Sequence, residues 1–209
     1  MVFDNITLLG MDGGGSRPLI TKAMQICKQQ ASFARCLLLS PHREYDLMDG
    51  IEHMTIPALT YPEWNVFVIN ELHKYIDTEY YLFVDTDGFI LNPHLWMPEF
   101  LHYDYIGAPW PDYLVQSYAS REGIIGKNNV GNGGFTMRSK KFLNVCKDIT
   151  HDGHSPEDAF LCVKQFDYLT SQGLTFAPDS IAKIFSTEPY AGNSFGFHGN
   201  KDIIHRVQL

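Results

Sequence analysis

Two carboxylates one residue apart, Asp85 and Asp87, have the spacing in this sequence that most strongly suggests chemistry. They follow Tyr80-Tyr81-Leu82-Phe83-Val84 directly, an aromatic and β-branched stretch that predicts a buried strand. Like charges at a strand end repel and are costly unless a cation or hydrogen-bond donors compensate them. Mg²⁺ or Mn²⁺ prefers oxygen ligands and leaves positions for water and phosphate. The triplet Asp85-Thr86-Asp87 therefore predicts a divalent-cation site, with an acidic turn as the alternative.

Ser155-Pro156-Glu157-Asp158 carries a second pair of acids. Taken alone it is explained as a helix start, with Ser155 as the N-cap and Pro156 at the first helical position. Acidic residues in the first turn complement the helix dipole. The pattern by itself favours a structural interpretation.

Two glycine-rich stretches come later than the acidic triplet. Gly131-Asn132-Gly133-Gly134 predicts either a sharp turn before a strand or a backbone that a ligand approaches closely, with the Asn132 amide as donor and acceptor. Phe197-His198-Gly199 presents a late histidine with Lys201 close behind it. A histidine in such a setting can be structural or a ligand, and both interpretations stay open here.

The composition limits the class of protein. A chain of 209 residues with 44% hydrophobic residues can bury a core, and we expect one domain over residues 1–209. Its net charge of −8 disfavours nucleic acid as the main partner, because phosphate binding needs clustered Lys and Arg.

The four cysteines indicate where the protein works. Cys27, Cys36, Cys146 and Cys162 lack metal-ligand spacing and lie in predicted helices and a strand, so we expect small core residues in a reducing compartment. The sequence contains neither a signal-peptide pattern nor a stretch apolar enough for a membrane span. These patterns predict a cytoplasmic protein of bacterial or viral/host cytosol.

The hydrophobic patterns predict alternating strands and helices. Two buried strands and the helix between them form a strand-helix-strand unit, which builds parallel sheet. Ligands of such sheets bind beyond the carboxyl ends of strands, where the acidic pair lies. The segment from Trp110 to about Asn129 is predicted to be a loop. The predicted elements are strands at Ile6–Leu9, Cys36–Leu39, Tyr80–Val84 and Leu174–Phe176, helices at Leu19–Gln30, Pro62–Ile76 and Pro178–Ile184, and helices starting at Ser139 and Ser155.

The order of these motifs resembles a known family. The acidic triplet is followed by Tyr105-Ile106-Gly107-Ala108-Pro109-Trp110, the Gly-Asn-Gly-Gly stretch, Glu157-Asp158 and a late Gly-Phe-His. From about Tyr80 onward this pattern is similar to the DUF5672 group of GT-A glycosyltransferases. The resemblance implies an α/β, Rossmann-like mixed sheet flanked by helices, the GT-A (nucleotide-diphospho-sugar transferase) fold.

The resemblance also implies roles for single residues. Asp85, Asp87 and His198 match the metal site, for Mn²⁺ or Mg²⁺, and Asp158 matches the acid that serves as catalytic base in inverting members. The remaining expected contacts are, for the nucleotide sugar, Leu9, Gly10, Asp12, Asp85, Thr86, Asp87, Asn132, Gly133, Gly134 and Lys201, and for the acceptor, Trp110 through ring stacking and Glu157.

The expected function is therefore metal-dependent transfer of a sugar from a nucleotide-diphosphate sugar, UDP-sugar first, to a hydroxyl of an acceptor glycan, protein or modified nucleic acid. Inversion of configuration is expected, and a retaining enzyme is the mechanistic alternative. An inactive nucleotide-sugar or carbohydrate binder is a further alternative. Gly10 to Ser16 also resembles the phosphate loop of actin-like-fold sugar kinases, which would require a hairpin in place of the predicted helix.

Overall fold

The computed structural model describes residues 1–13, 18–42, 50–121, 123–188 and 192–199. Its strands are β1 (Val2–Met11), β2 (Ser32–Ser40), β3 (Glu52–Thr55), β4 (Tyr80–Val84), β5 (Phe89–Ile90), β6 (Tyr105–Ile106), β7 (Phe135–Ser139), β8 (Ser186–Thr187) and β9 (Gly196–Phe197). Its α-helices are α1 (Pro18–Gln30), α2 (Tyr61–Asn70), α3 (Asp112–Ser120), α4 (Lys140–Cys146), α5 (Glu157–Ala159), α6 (Phe166–Ser171) and α7 (Asp179–Phe185). A π-helical turn, Phe160–Lys164, continues α5.

Six strands form the main sheet in the order β3-β2-β1-β4-β7-β6. β1 pairs in parallel with β2 and β4, whereas β7 is antiparallel to β4 and β6. The chain moves outward from β1 to β3 and then returns to the other side of β1 to form β4. The strand order reverses between β1 and β4, which is where open α/β sheets bind ligands.

The central strands are buried on both faces because helices cover each side. Neighbouring residues of β1 belong to different core clusters, Leu8 with α1 and Leu9 with α2. α1 packs closely, since a Cβ added at Gly10 would lie 2.5 Å from the Met24 sulfur. The continuous apolar runs of β1, β2 and β4 reflect this two-sided burial.

A second sheet of three short strands brings the late part of the chain to β4. β9 pairs antiparallel with β5 and parallel with β8, with Phe89 opposite Phe197. The two phenylalanine rings meet edge to face with centroids 4.8 Å apart. Because β5 begins just after Asp87-Gly88, this register places the residue after β9, His198, beside the acidic triplet.

The structure confirms the predicted mixed α/β fold, α1 and β4. The predicted helix from Pro62 to Ile76 is wrong at its end, since α2 stops at Asn70 and a 3₁₀ turn follows. Part of the predicted Trp110–Asn129 loop is a helix, α3. Leu174–Phe176 is not a strand; Phe176 makes a single bridge to Tyr105.

Two further expectations are corrected. Pro156 occupies the N-cap position of α5, whereas the Ser155 hydroxyl donates to Asp152 Oδ2 at 2.6 Å. The sugar-kinase alternative is also wrong, because the parallel strands β1 and β2 flank α1 where a hairpin would be needed.

Within the described residues no helix has the length and apolar character needed to cross a membrane.

Candidate active site

The acidic triplet leaves β4 at the strand-order reversal and is held by backbone hydrogen bonds. The Asp85 N–H donates to the Gly134 carbonyl at 2.9 Å, and Asp85 Oδ1 accepts from the Thr86 N–H at 2.6 Å. Thr86 and Asp87 are both buried. The triplet is thus fixed against the Gly-Asn-Gly-Gly loop, which leads into β7 beside β4.

Three side chains converge at this point. One ligand atom from each of Asp85, Asp87 and His198 lies within 4.8 Å of the other two, and His198 Nε2 is 3.3 Å from Asp87 Oδ1. Two carboxylate oxygens and an imidazole nitrogen are a donor set that Mn²⁺ accepts. The expected convergence of the acids with the late histidine is therefore present, and the donor set fits a divalent cation.

A fourth residue, Glu188, orients the histidine and was not predicted from the sequence. His198 Nδ1 lies 3.2 Å from Glu188 Oε1, while the other Glu188 oxygen accepts from the Asn132 amide nitrogen. The Asn132 side-chain oxygen Oδ1 in turn accepts from the Gly134 N–H at 3.1 Å. A carboxylate behind a histidine fixes its ring and directs the other nitrogen toward a metal. The sequence signal was an acid ten positions before His198, too common to single out.

The histidine sits between acids and takes on positive charge. Burial disfavours that charge, but the hydrogen bonds to Asp87 and Glu188 outweigh it and raise the pKa of His198 to about 10. The imidazolium then balances the carboxylates around it. A divalent cation on the same nitrogen would do so more strongly, after displacing the proton.

The loop glycines are required for space. A Cβ at Gly134 would lie 2.1 Å from the His198 ring, and one at Gly133 would lie 2.7 Å from Glu157 Oε1. Neither glycine has a positive φ, so a sharp turn does not explain them. Side chains of this chain approach both glycines closely, whereas the expected approach of a ligand to this backbone stays a prediction.

On the other side of the loop, Glu157 is held by a buried arginine. Both of its oxygens accept from the Arg138 guanidinium, at 2.7 and 3.1 Å, and the Arg138 charge lies 5.0 Å from the centre of the Tyr105 ring. Arg138 is 1% exposed. Such a pair tolerates burial only because each charge is matched. The Glu157 carboxylate is engaged in this pair, and its expected contact with an acceptor stays a prediction.

Asp158, the neighbour of Glu157, has no cationic partner among the described residues. Its oxygens accept from the Gly133 N–H at 3.0 Å and the Ala159 N–H at 2.7 Å. Burial and the adjacent Glu157 charge raise the pKa of Asp158 to about 7. A carboxylate with this pKa can both accept and release a proton near neutral pH.

The candidate cation site and the Glu157-Asp158 pair open into one cavity of about 180 Å³. Asp85 and His198 line it on one side, and Glu157 and Asp158 on another, with the loop glycines between them. Two of the candidate cation ligands, Asp85 and His198, and the carboxylate of raised pKa therefore face the same space.

Comparison of the sequence with models of known protein families identifies the family of this chain. Residues 63–202 match the model described as "Protein of unknown function (DUF5672)", about two thirds of the chain. The chain belongs to the DUF5672 family. No curated protein sequence matches it significantly.

Solved structures show that this DUF5672 chain has a GT-A-like fold. A glycosyltransferase involved in the glycosylation of the major capsid of PBCV-1 superimposes with a TM-score of 0.54 at 12% identity, over 97% of this chain and 99% of that one. CMP:2-keto-3-deoxy-manno-octonic acid synthetase complexed with CTP gives 0.50 at 12% identity, over 82% and 88%. The mannosyltransferase PcManGT from Pyrobaculum calidifontis, in complex with GDP-Man and Mn²⁺, gives 0.50 at 9% identity, over 84% of this chain and 55% of that one.

In this DUF5672 chain the β1 residues predicted to contact the nucleotide lie at the same end of the sheet as the acidic triplet. Gly10 pairs with Val84, so the end of β1 lies beside the start of the acidic triplet. Asp12 is buried there, and its N–H donates to the Leu39 carbonyl at 2.8 Å. The Leu9 side chain belongs to the core. Contacts of these residues with a nucleotide stay predictions, and Lys201 lies outside the described residues.

Trp110 does not have the free ring face that stacking on an acceptor sugar requires. Its side chain is 6% exposed and packs against Tyr118 with ring centroids 5.9 Å apart. A Cβ at Gly131 would lie 2.4 Å from the Trp110 ring, so the indole covers the start of the glycine loop. Its observed role is packing in the core.

Proposed function

We propose that the protein is a metal-dependent glycosyltransferase that moves a sugar from a nucleotide-diphosphate sugar to an acceptor hydroxyl with inversion of configuration. The observation that carries the proposal is the shared cavity, which is lined by Asp85 and His198 as well as Asp158. Sugar transfer needs a stabilised diphosphate leaving group near an activated acceptor oxygen. The side with Asp85 and His198 suits the leaving group, and the side with Asp158 suits activation of the acceptor.

Asp85, Asp87 and His198 are the proposed ligands of Mn²⁺ or Mg²⁺. When bound, the cation neutralises charge that develops on the diphosphate as the glycosidic bond to the donor breaks. The chain's own part is to hold the ligands in place: Glu188 and Asn132 fix the imidazole, and Gly134 leaves room for it. The ends of β1 and β4 form the proposed crevice for the nucleotide.

Asp158 is the proposed general base. It would accept the proton of the acceptor hydroxyl as that oxygen attacks the anomeric carbon from the face opposite the diphosphate, which inverts the configuration. The backbone N–H groups of Gly133 and Ala159 hold the carboxylate in position. Its raised pKa suits proton transfer near neutral pH.

The solved neighbours support the proposal at the level of fold and reaction class. Two are glycosyltransferases, and the structure of one of these is a complex with GDP-Man and Mn²⁺. A UDP-sugar is the first donor to test. A reducing, cytoplasmic setting belongs to the same proposal and is supported by the four buried cysteines, none of which is in a disulfide among the described residues.

The direct test is a thermal-shift screen of UDP-, GDP- and CMP-sugars with Mn²⁺ and with a chelator, followed by donor-hydrolysis assays on the hits. A donor at 100-fold its Kd should raise the free energy of unfolding by about 2.7 kcal/mol. Chelator should remove that gain. If no nucleotide sugar stabilises the protein in Mn²⁺, the proposal is wrong.

The same assays separate the alternatives. A retaining enzyme would give a product with the anomeric configuration of the donor, which NMR of the product distinguishes from inversion. An inactive binder would show the metal-dependent stabilisation without donor hydrolysis or transfer.

A further inference from the structure

One wall of the cavity is aromatic and comes from the first turn of α2. Tyr61 and Trp64 line it, and Trp64 packs edge to face on Phe83 at 6.3 Å between centroids. Tyr61 remains 63% exposed although it borders the cavity, so it stands at the mouth and is accessible to a ligand. Neither residue was predicted from the sequence, in which Trp110 was the expected sugar-stacking ring.

The position of this wall relative to Asp158 is fixed by Asn65. The buried Asn65 amide donates to the Tyr61 carbonyl at 2.8 Å, and its oxygen accepts from the Glu157 N–H at 2.9 Å. One side chain thus joins Tyr61 to the residue before the proposed base. Burial and the Asp158 charge raise the pKa of the Tyr61 phenol, as expected for a ring near that carboxylate.

The start of α2 is braced independently. The Thr60 N–H and hydroxyl both donate to the Glu63 carboxylate, at 2.8 and 2.7 Å. This capping box sets the direction in which the first turn leaves the loop. The Tyr61 ring is therefore carried by a preorganised turn, which reduces the entropy lost when a ligand stacks on it.

The charge of the cavity restricts what can bind beside this ring. Among the described residues lining it, none is Lys or Arg, whereas Asp85, Glu157 and Asp158 are acidic. Arg138 lies behind Glu157, and its charge is matched there. The His198 imidazolium also lines the cavity, but it already faces Asp87 and Glu188. Phosphorylated or polyanionic acceptors would therefore lose hydration without gaining an unmatched cationic partner among the described lining residues.

The size and polarity of the cavity match one sugar ring. At about 180 Å³ it offers the space of about six waters. Carboxylate oxygens on one side can accept hydrogen bonds from hydroxyls, while the Tyr61 ring presents an apolar face to C–H groups.

We propose that the acceptor is a neutral saccharide, of which one pyranose unit stacks on Tyr61 and presents its hydroxyl to Asp158. This inference rests on the proposed function and specifies its acceptor class. It assigns Tyr61 to acceptor binding and excludes nucleic acid as the group bound at this ring.

The test measures binding of methyl pyranosides of glucose, galactose and mannose by saturation-transfer NMR in Mg²⁺, which is diamagnetic, in wild type and three variants. Tyr61→Ala should lower the affinity for the pyranoside about tenfold, because one aromatic stacking contact is lost. Tyr61→Phe should bind within about twofold of wild type, because the ring is kept. Tyr113→Ala, at a tyrosine 77% exposed on α3 and outside the cavity, is the matched control and should bind as wild type does.

A methyl pyranoside phosphate and a single-stranded oligonucleotide complete the probe set. The inference is overturned if either anion binds more tightly than the neutral probes, if no neutral probe binds at millimolar concentration, or if Tyr61→Ala binds as wild type does. Binding and hydrolysis of the donor by the wild-type protein are measured separately, without acceptor. If the wild type neither binds nor hydrolyses a donor, the proposed function is refuted, whereas the saccharide-binding result stands by itself.

Discussion

Two groups of carboxylates lie at the site, and the structure compensates them in different ways. In the cation half, Asp85 and Asp87 gather around His198, whose own charge is stabilised by Asp87 and Glu188. In the base half, Arg138 takes both oxygens of Glu157. Asp158 shares no ion pair among the described residues, and burial raises its pKa to about 7.

The difference shows how one fold assigns separate tasks to similar side chains. A carboxylate with a cation beside it serves as a ligand or a structural anchor. Asp158, which has no such partner, exchanges a proton near neutral pH. Its raised pKa marks it as the acid-base candidate beside Glu157.

The largest expected effect comes from removing the uncompensated carboxylate. Asp158→Asn keeps the shape and the Gly133 N–H bond but cannot take a proton, so kcat for transfer should fall by about 10²–10⁴-fold. Calorimetric affinities for Mn²⁺ and donor should remain within about twofold of wild type, because the cation half is intact. Asp112→Asn, at an exposed acid on α3, is the control and should retain full turnover. Wild-type kcat in Asp158→Asn would contradict the base assignment.

Breaking the compensated pair should affect stability more than chemistry. Glu157→Gln leaves the buried Arg138 charge unmatched, which costs about 3–5 kcal/mol. Urea unfolding of the variant measures this loss. The double variant Arg138→Met with Glu157→Met removes both charges and should be more stable than Glu157→Gln alone. Equal stability of Glu157→Gln and wild type would show that the pair is not a structural anchor.

In the cation half, Glu188→Gln tests the residue behind the histidine. The amide keeps the size but loses the charge that holds the ring, so the dissociation constant for Mn²⁺ should rise by about 10–100-fold. Isothermal titration of the free protein measures this without any turnover. Glu99→Gln, an exposed acid on the 3₁₀ turn at Pro98–His102, is the control. An unchanged Mn²⁺ affinity in Glu188→Gln would limit Glu188 to a packing role.

The smallest effect expected is on stability as a function of pH. The folded pKa of Asp158, about 7, lies above the ordinary value of 3.8, so the folded state favours the protonated acid. The stability it contributes is complete below about pH 3.8 and is lost as pH rises through 7. Relative to wild type, Asp158→Asn should therefore gain on the order of 1–2 kcal/mol between pH 6 and 8 in urea unfolding. A stability difference that does not vary with pH would contradict the raised pKa.

The sequence predicts the cation half better than the cavity as a whole. The apolar strand before Asp85 and the triplet itself are local patterns, and the order of motifs led to His198. Glu188, Asn65 and Tyr61 carry no local signal, because their roles arise from hydrogen bonds and surfaces formed across the fold. The stacking role predicted for Trp110 was wrong for the same reason, because the sequence does not show whether an aromatic side chain fills the core or faces a ligand.

The helix α3 shows a related limit of sequence patterns. Its nine residues begin after a proline, and only Val115 and Ala119 are buried. So short a helix with two buried positions gives little periodicity to detect. Packing against the α5 region supplies the stabilisation that propensity alone does not.

The pairing of β9 with β5 has a consequence for how the protein matures. All six strands of the main sheet are complete by Ser139, whereas His198 is made nearly sixty residues later. A nascent chain on the ribosome can thus assemble its largest sheet before it possesses the third cation ligand. Catalytic competence would then arise in a late docking step, which separates the acquisition of shape from the onset of activity.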